Sequence, residues 1–154
     1  MRLLIKFLNL AKRFYFIVAN RAILKMNNVN KKPNYKINGQ IYIRNSGIIS
    51  IGENFIGNSS KNANPIGGDI VLRLVVNKGG ELVIGDNVGI SNSTIVCWQK
   101  IKIGNYVYIG GNCKIWDTDF HSIDPYERRH HGDKKVNIAP IYIGDYAFIG
   151  GSSI

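Results

Sequence analysis

The residues best suited to proton transfer lie between Trp116 and His121. Asp117, Asp119 and His121 are each separated by a single residue. A neutral imidazole accepts a proton near pH 7, which makes His121 a candidate general base. The two carboxylates could orient that imidazole, but an acidic residue at a turn often only accepts backbone hydrogen bonds. The sequence leaves both roles open for Asp119.

Cys97 and Cys113 are the only cysteines in the chain. Two cysteines do not make a disulfide framework, which favours a reducing cytoplasm as the location. Cys113 falls at an inward, small position of the repeat described below, which is typical of a core residue. Cys97 has no neighbouring base in the sequence, so a nucleophilic role is not expected for it.

Basic charge is concentrated at the N-terminus. Ten basic and no acidic residues lie between Met1 and Arg44, and the rest of the chain carries ten of each sign. The net charge of +10 therefore belongs to the N-terminal segment alone. A body without net charge argues against nucleic-acid binding.

Apolar residues recur at three- and four-residue spacing from Leu3 to about Leu24, which predicts an amphipathic helix. Charges interrupt this segment too often for a membrane-spanning helix or a secretory signal. Three interpretations stay open: the helix packs on the domain or on a neighbouring subunit, it lies on an anionic membrane surface through residues 1–27, or the segment is a disordered tail. We expect Asn27 to Lys36 to be a linker, which gives an N-terminal unit of residues 1–36.

One five-residue pattern occurs four times and is the strongest structural signal in the chain. Each copy has an aliphatic residue, a glycine, a polar residue, an Asn, Tyr or similar residue, and a small or apolar residue. The copies begin at Ile51, Ile84, Ile103 and Ile143. Inside them aliphatic residues recur every six positions, as in the series Ile84, Ile90 and Val96.

A period of six in strands has a simple structural meaning. Residues two apart on a strand share a face, so each hexapeptide offers two inward side chains before a turn; on this count Thr94 and Val96 point inward. Three such faces close one triangular coil of roughly 18 residues, and only stacked coils bury the aliphatic columns. The sequence therefore predicts an all-β domain over residues 37–154, a parallel β-helix of hexapeptide repeats.

The spacing of the four copies predicts where the coils are interrupted. Successive copies begin 33, 19 and 40 residues apart. The longest spacing holds one coil and about twenty further residues, which predicts one protruding loop at about residues 117–140, and excursions of this size are usually functional. Asn92 falls at a coil corner, where asparagine often supplies a left-handed backbone.

Two stretches of the sequence carry a family resemblance. The first, IGGNCKIWDTDFHSIDPYERR from Ile109 to Arg129, combines a coil, a histidine just past its end and an Asp-Pro-x-Glu-Arg loop. The second, PIYIGDYAFIGGSSI from Pro140 to Ile154, is the coil that resumes. The region from Ile84 to Ile154 resembles the hexapeptide-repeat acetyltransferases that modify sugars, including galactoside, maltose and capsular polysaccharide O-acetyltransferases.

The resemblance implies a fold and a reaction. The fold is a left-handed β-helix in a homotrimer, with CoA and the acceptor held between adjacent prisms. The reaction is direct transfer of acetyl from acetyl-CoA to a sugar hydroxyl, with His121 as the base. A lipid-linked glycan intermediate at the inner face of the membrane would suit the basic N-terminus. Family members continue with further coils, so we expect this chain to lack its C-terminal coils.

The resemblance also assigns binding residues. Phe148 stands where the family usually has Trp and is expected in the cofactor site with Gly150 and Gly151, whose N–H groups could stabilise the oxyanion. Asp119 and Asn92 are candidates for acceptor binding. Trp116 is a third, either stacking on the sugar or packing against a neighbouring side chain.

Two other function classes were weighed against this one. The γ-class carbonic anhydrases share the fold but take zinc on three histidines from stacked coils. Here His121, His130 and His131 lie in one loop, so no metal is expected. The second class is a non-catalytic β-helix scaffold or binding module tethered by its basic helix. The His121 loop argues against a scaffold, and CoA binding separates the two.

Overall fold

The computed structural model describes residues 1–67, 71–130, 132 and 134–154. Within these residues an N-terminal helix, α1 (Arg2–Met26), precedes fourteen short strands that form three parallel sheets. The first sheet contains β1 (Asn30–Lys31), β4 (Ile48–Ile51), β7 (Glu81–Ile84), β10 (Lys100–Ile103) and β13 (Ile141–Ile143). The second contains β2 (Tyr35–Gly39), β5 (Phe55–Ser59), β8 (Gly89–Ser91), β11 (Tyr108–Ile109) and β14 (Phe148–Ile149). The third contains β3 (Tyr42–Asn45), β6 (Arg73–Val76), β9 (Thr94–Cys97) and β12 (Lys114–Trp116).

Each strand pairs in parallel with the third strand after it. In the first sheet, for example, Ile51 lies beside Ile84, and Ile84 lies beside Ile103. Three consecutive strands therefore belong to three different sheets, and the fourth returns to lie beside the first. This is the strand pairing that a parallel β-helix requires, and the prediction of repeated strands is confirmed.

The repeated five-residue pattern has a physical cause in the stacking of its copies. The third residue of each later copy accepts a hydrogen bond from the backbone N–H of the copy before it. These bonds run from Glu53 N to Asp86 Oδ1 at 2.7 Å, from Asp86 N to Asn105 Oδ1 at 2.9 Å and from Asn105 N to Asp145 Oδ1 at 2.7 Å. The fourth residues all have left-handed backbone angles, with φ of +55° at Asn54, +58° at Asn87, +56° at Tyr106 and +61° at Tyr146.

The glycine of the pattern is required by the close approach of neighbouring coils. A Cβ atom placed on Gly52 would lie 2.6 Å from the backbone oxygen of Gly85. A Cβ atom on Gly85 would lie 2.6 Å from the oxygen of Gly104. Any larger residue would push the coils apart at this corner, which explains the fixed position of glycine in the repeat.

The inward side chains form one continuous aliphatic core, but the prediction was wrong on one face. In β9 the buried residues are Ile95 and Cys97, whereas Thr94 and Val96 are only half-buried. Ile95 lies beside Ile115 of the next coil. The step from Ile90 to Ile95 is five residues rather than six, because the corner between β8 and β9 is one residue shorter than the period requires.

The segment predicted as a linker is partly strand. Asn27 to Lys36 contains β1, which pairs with Ser50 and Ile51, and the first residues of β2. These strands lie at the end of the stack, where a coil has a neighbour on one side only. Their polar residues do not need to alternate with apolar ones, so the sequence gives no strand pattern there.

The N-terminal segment is helical, as predicted, and it is not a disordered tail. Only its C-terminal half packs on the first coil, through the buried residues Asn20 and Leu24. Asn20 donates from Nδ2 to Gly39 O at 2.8 Å and accepts from Ile41 N at 3.1 Å. Residues 1–15 are all exposed. No helix in the described parts of the chain is long and apolar enough to cross a membrane.

Candidate functional site

The protruding loop leaves the stack where it was predicted, between the end of β12 at Trp116 and the start of β13 at Ile141. Its two ends run antiparallel and are bonded to each other. Thr118 and Ile138 form a β-bridge, Asp119 N donates to Asn137 O at 3.1 Å, and Ala139 N donates to Asp117 O at 3.1 Å. We call these bonded ends, residues 117–119 and 137–139, the loop neck. The neck fixes the base of the loop to the β-helix.

Asp117 anchors the neck to the preceding coil. Its side chain is buried and accepts three backbone hydrogen bonds, from Trp98 N at 2.6 Å and from Gln99 N and Lys100 N at 2.8 Å each. The Asp117 carboxylate thus accepts backbone hydrogen bonds from the turn between β9 and β10. This is one of the two roles that the sequence allowed for the acidic residues before His121.

His121 follows the neck in a tight turn. Phe120 has a φ of +60°, and its backbone N–H donates to Thr118 Oγ1 at 3.1 Å. His121 N donates to the backbone oxygen of Asp119 at 2.7 Å. Asp119 therefore holds the backbone of His121, while its carboxylate accepts a hydrogen bond from Asn137 Nδ2 at 3.1 Å. The turn places His121 on the exposed surface of the loop.

The Asp-Pro-x-Glu-Arg stretch builds a short helix, α2 (Pro125–His130). Asp124 caps it, because Oδ1 accepts a hydrogen bond from Tyr126 N at 2.8 Å. Proline at the first helical position suits this geometry because its missing N–H would have no partner there. Glu127 then forms an ion pair with Lys135 at 2.7 Å, which joins α2 to the returning part of the loop.

Arg128 is a positioning residue that the sequence did not single out. Its Nη1 donates to the backbone oxygens of Ser122 at 2.5 Å and Ile123 at 2.8 Å. Ser122, directly after His121, is buried. The guanidinium thus holds the segment that follows His121. This contact explains the presence of Arg in the Asp-Pro-x-Glu-Arg stretch.

Three aromatic rings meet at the base of the loop. The ring centroid of Phe120 lies 5.9 Å from that of Trp116 and 6.2 Å from that of Trp98. Trp116 therefore packs against a neighbouring side chain, one of its two predicted roles, and stacking on a sugar stays a prediction. A cleft of about 300 Å³ along the neck is lined in part by Trp116 and Asp119. The structure thus brings two of the predicted acceptor residues into one cleft.

Asn92 is fully buried at a coil corner. Its φ of +36° agrees with the corner role that the sequence allowed. Its side-chain Nδ2 donates to Ser60 O at 3.2 Å and Asn64 O at 2.9 Å. The side chain holds the excursion between β5 and β6 onto the coil, and its predicted contact with the acceptor stays a prediction.

The three predicted cofactor residues lie together on the last coil. Phe148 is in β14 and is 78% exposed, and Gly150 and Gly151 follow the strand and are also exposed. Gly150 O accepts hydrogen bonds from Cys113 Sγ at 3.0 Å and from Ser153 Oγ at 2.9 Å. These bonds fix the glycine turn against the coil below it.

Both thiols are buried in the β-helix. Burial, reinforced by the nearby Asp117 carboxylate, raises the pKa of Cys97 from 9.0 to about 12. Because the folded state favours the protonated thiol, this contribution to stability is complete below pH 9.0 and is lost as the pH rises toward about 12. A neutral thiol is a poor nucleophile, in agreement with the prediction for Cys97.

We expect neither thiol of the native protein to react with a thiol-specific disulfide reagent at neutral pH. Both Cys97 and Cys113 should react once the protein is unfolded in denaturant, and spectrophotometric titration of the released chromophore measures the two states. Rapid labelling of the native protein would contradict the burial of these thiols.

In the described part of the chain no group of three or more His, Cys, Asp or Glu side chains is arranged to hold a metal ion. His131, one of the three histidines of the zinc alternative, lies outside the described residues. Comparison of the chain with protein-family models, curated proteins and solved structures finds no match.

Proposed function

We propose that this protein is an acetyl-CoA-dependent O-acetyltransferase that acts on a hydroxyl of a sugar or polysaccharide precursor. The observation that carries the proposal is the loop of residues 117–140. It leaves a stack of parallel strands, is closed by a bonded neck and presents His121 at its surface. The two stretches that most resemble the sugar acetyltransferases, Ile109 to Arg129 and Pro140 to Ile154, include the first part of this loop and the coil that follows it.

The same proposal includes a left-handed triangular prism as the form of the β-helix. The three sheets, in which every third strand is paired, are the arrangement that such a prism requires. A homotrimer is proposed with it, because acceptor and CoA would then lie between the loop of one prism and the face of the next. Phe148, 78% exposed on the second sheet, is available to such a groove.

In the proposed reaction the imidazole of His121 takes the proton of the acceptor hydroxyl while that oxygen attacks the thioester carbonyl carbon. A C–O bond forms, and the carbonyl oxygen becomes an oxyanion that backbone N–H groups at Gly150 and Gly151 could stabilise. The C–S bond then breaks, and the leaving thiolate takes the proton from the imidazolium. The products are the acetyl ester and CoA, and His121 returns to its neutral form.

CoA binding tests this proposal against a scaffold. We expect the protein to bind CoA in isothermal titration calorimetry, and Phe148→Ala to weaken binding by roughly tenfold because an exposed aromatic contact is lost. Tyr142→Ala is the matched control, since Tyr142 is 65% exposed in the neighbouring sheet of the same coil. Its affinity should be unchanged. Absence of CoA binding would favour the non-catalytic scaffold.

A further inference from the structure

Helix α1 extends well beyond the part of it that packs on the β-helix. Residues 1–15 are exposed, whereas Asn20 and Leu24 near the other end are buried against the first coil. A helix of 25 residues spans roughly 37 Å at 1.5 Å per residue. More than half of its length therefore stands clear of the body.

The side of α1 that faces the body is apolar near its C-terminal end, where Ile23 and Leu24 pack against the core, and mostly polar along the cleft that precedes this contact. A cleft of about 630 Å³ separates the helix from β2, and Asn9, Arg13, Phe16 and Asn20 line it from the helix side. At roughly 100° per residue these four positions form one stripe along the helix. The stripe contains three polar residues and one aromatic residue.

The opposite side of α1 is apolar and points away from the body. Leu4, Phe7, Leu8, Phe14, Tyr15 and Val18 lie there, and they are between 51% and 67% exposed. An amphipathic helix of a globular domain normally turns its apolar side to the core. Along residues 4–18 this orientation is reversed, so the packing of the C-terminal end of the helix on its own domain, one of the predicted alternatives, does not account for this face.

The charges on the helix indicate which kind of partner contacts its apolar side. Lys12 and Arg21 lie at the two borders of this side and also line the cleft toward β2. From a border, long basic side chains can extend to a charged layer beside an apolar one. No acidic residue lies between Met1 and Arg44 to pair with them. A second copy of α1 would bring the same cations against these, whereas anionic lipid headgroups would neutralise them.

We propose that the outward apolar face of α1 lies in the interfacial layer of a membrane that contains anionic lipid, with the β-helix held above it. Phe7, Phe14 and their apolar neighbours enter the boundary between headgroups and acyl chains, and the flanking cations contact lipid phosphates. This inference rests on the helix alone and does not depend on the proposed acetyl transfer.

Flotation with lipid vesicles tests the proposal on the intact chain. We expect the protein to bind vesicles of phosphatidylcholine and phosphatidylglycerol, and to bind pure phosphatidylcholine vesicles more weakly. The double variant Phe7→Glu/Phe14→Glu should bind the mixed vesicles at least about tenfold more weakly than the wild type, because two apolar contacts are lost. Ile66→Glu is the control, because Ile66 is 82% exposed and is not part of α1.

Two results would overturn the proposal. The first is equal binding of the wild type and the double variant, with folding of both checked by circular dichroism. The second is no vesicle binding by the wild type, together with a fall in oligomer mass in the double variant by light scattering. That second result would assign the apolar face to a neighbouring copy of the chain.

Discussion

Replacing His121 by alanine is expected to lower kcat/KM for acetyl transfer by about 10²-fold or more, with CoA affinity unchanged. Without the imidazole the acceptor hydroxyl must lose its proton to water during attack, which raises the barrier of the chemical step. The side chain is exposed, so its removal leaves no cavity and should hardly change the free energy of unfolding. Initial rates of CoA release and calorimetric CoA titration measure the two quantities.

His130→Ala is the matched control for this experiment. His130 is an exposed histidine of the same loop, in α2, where its ring centroid lies 4.6 Å from that of Tyr126. We expect its variant to keep the wild-type rate. Equal rates for the wild type and His121→Ala would show that His121 is not the base, and an equal loss in both variants would indicate that the loop as a whole has been disturbed.

Asp117→Ala is expected to have the largest effect on stability. Three backbone N–H groups, those of Trp98, Gln99 and Lys100, would lose the buried acceptor that now binds them at 2.6–2.8 Å. Each hydrogen bond to a charged group contributes roughly 1.5–3 kcal/mol, so we expect the free energy of unfolding to fall by about 3 kcal/mol or more. Urea denaturation followed by circular dichroism gives this value.

Asp119→Ala separates this effect from the general loss of a carboxylate in the neck. Asp119 is exposed, and its carboxylate accepts one bond, from Asn137. Its replacement should change the free energy of unfolding by less than about 0.5 kcal/mol. If both variants were destabilised equally, the three hydrogen bonds to Asp117 would not account for the loss of stability in Asp117→Ala.

The repeat made most of the β-helix predictable. An aliphatic residue and a glycine at a fixed position identify the corner where coils stack, and the residue that follows the glycine forms the hydrogen-bonded ladder from Glu53 to Asp145. The phase of β9 was not predictable in this way. The corner after Ile90 is one residue short, and no residue type at that corner marks the change.

The sequence pattern also could not predict contacts between distant parts of the chain. Trp98, Trp116 and Phe120 meet because β9 and β12 are neighbours in one sheet, and that depends on the lengths of all the intervening turns. For α1 the periodicity predicted an apolar and a polar side correctly. It could not predict which side faces the body, because hydrogen bonds of Asn20 to Gly39 and Ile41 fix the orientation.

The central claim is transfer of an acetyl group from CoA to a sugar oxygen at the His121 loop. It is tested by mass spectrometry of a panel of sugars and glycan precursors incubated with the protein and acetyl-CoA labelled with carbon-13 in the acetyl group. We expect an acetyl ester that carries the label, formed in equal amount to free CoA and lost in His121→Ala. Binding of acetyl-CoA without any labelled sugar, or with labelled acetate as the only product, would contradict it.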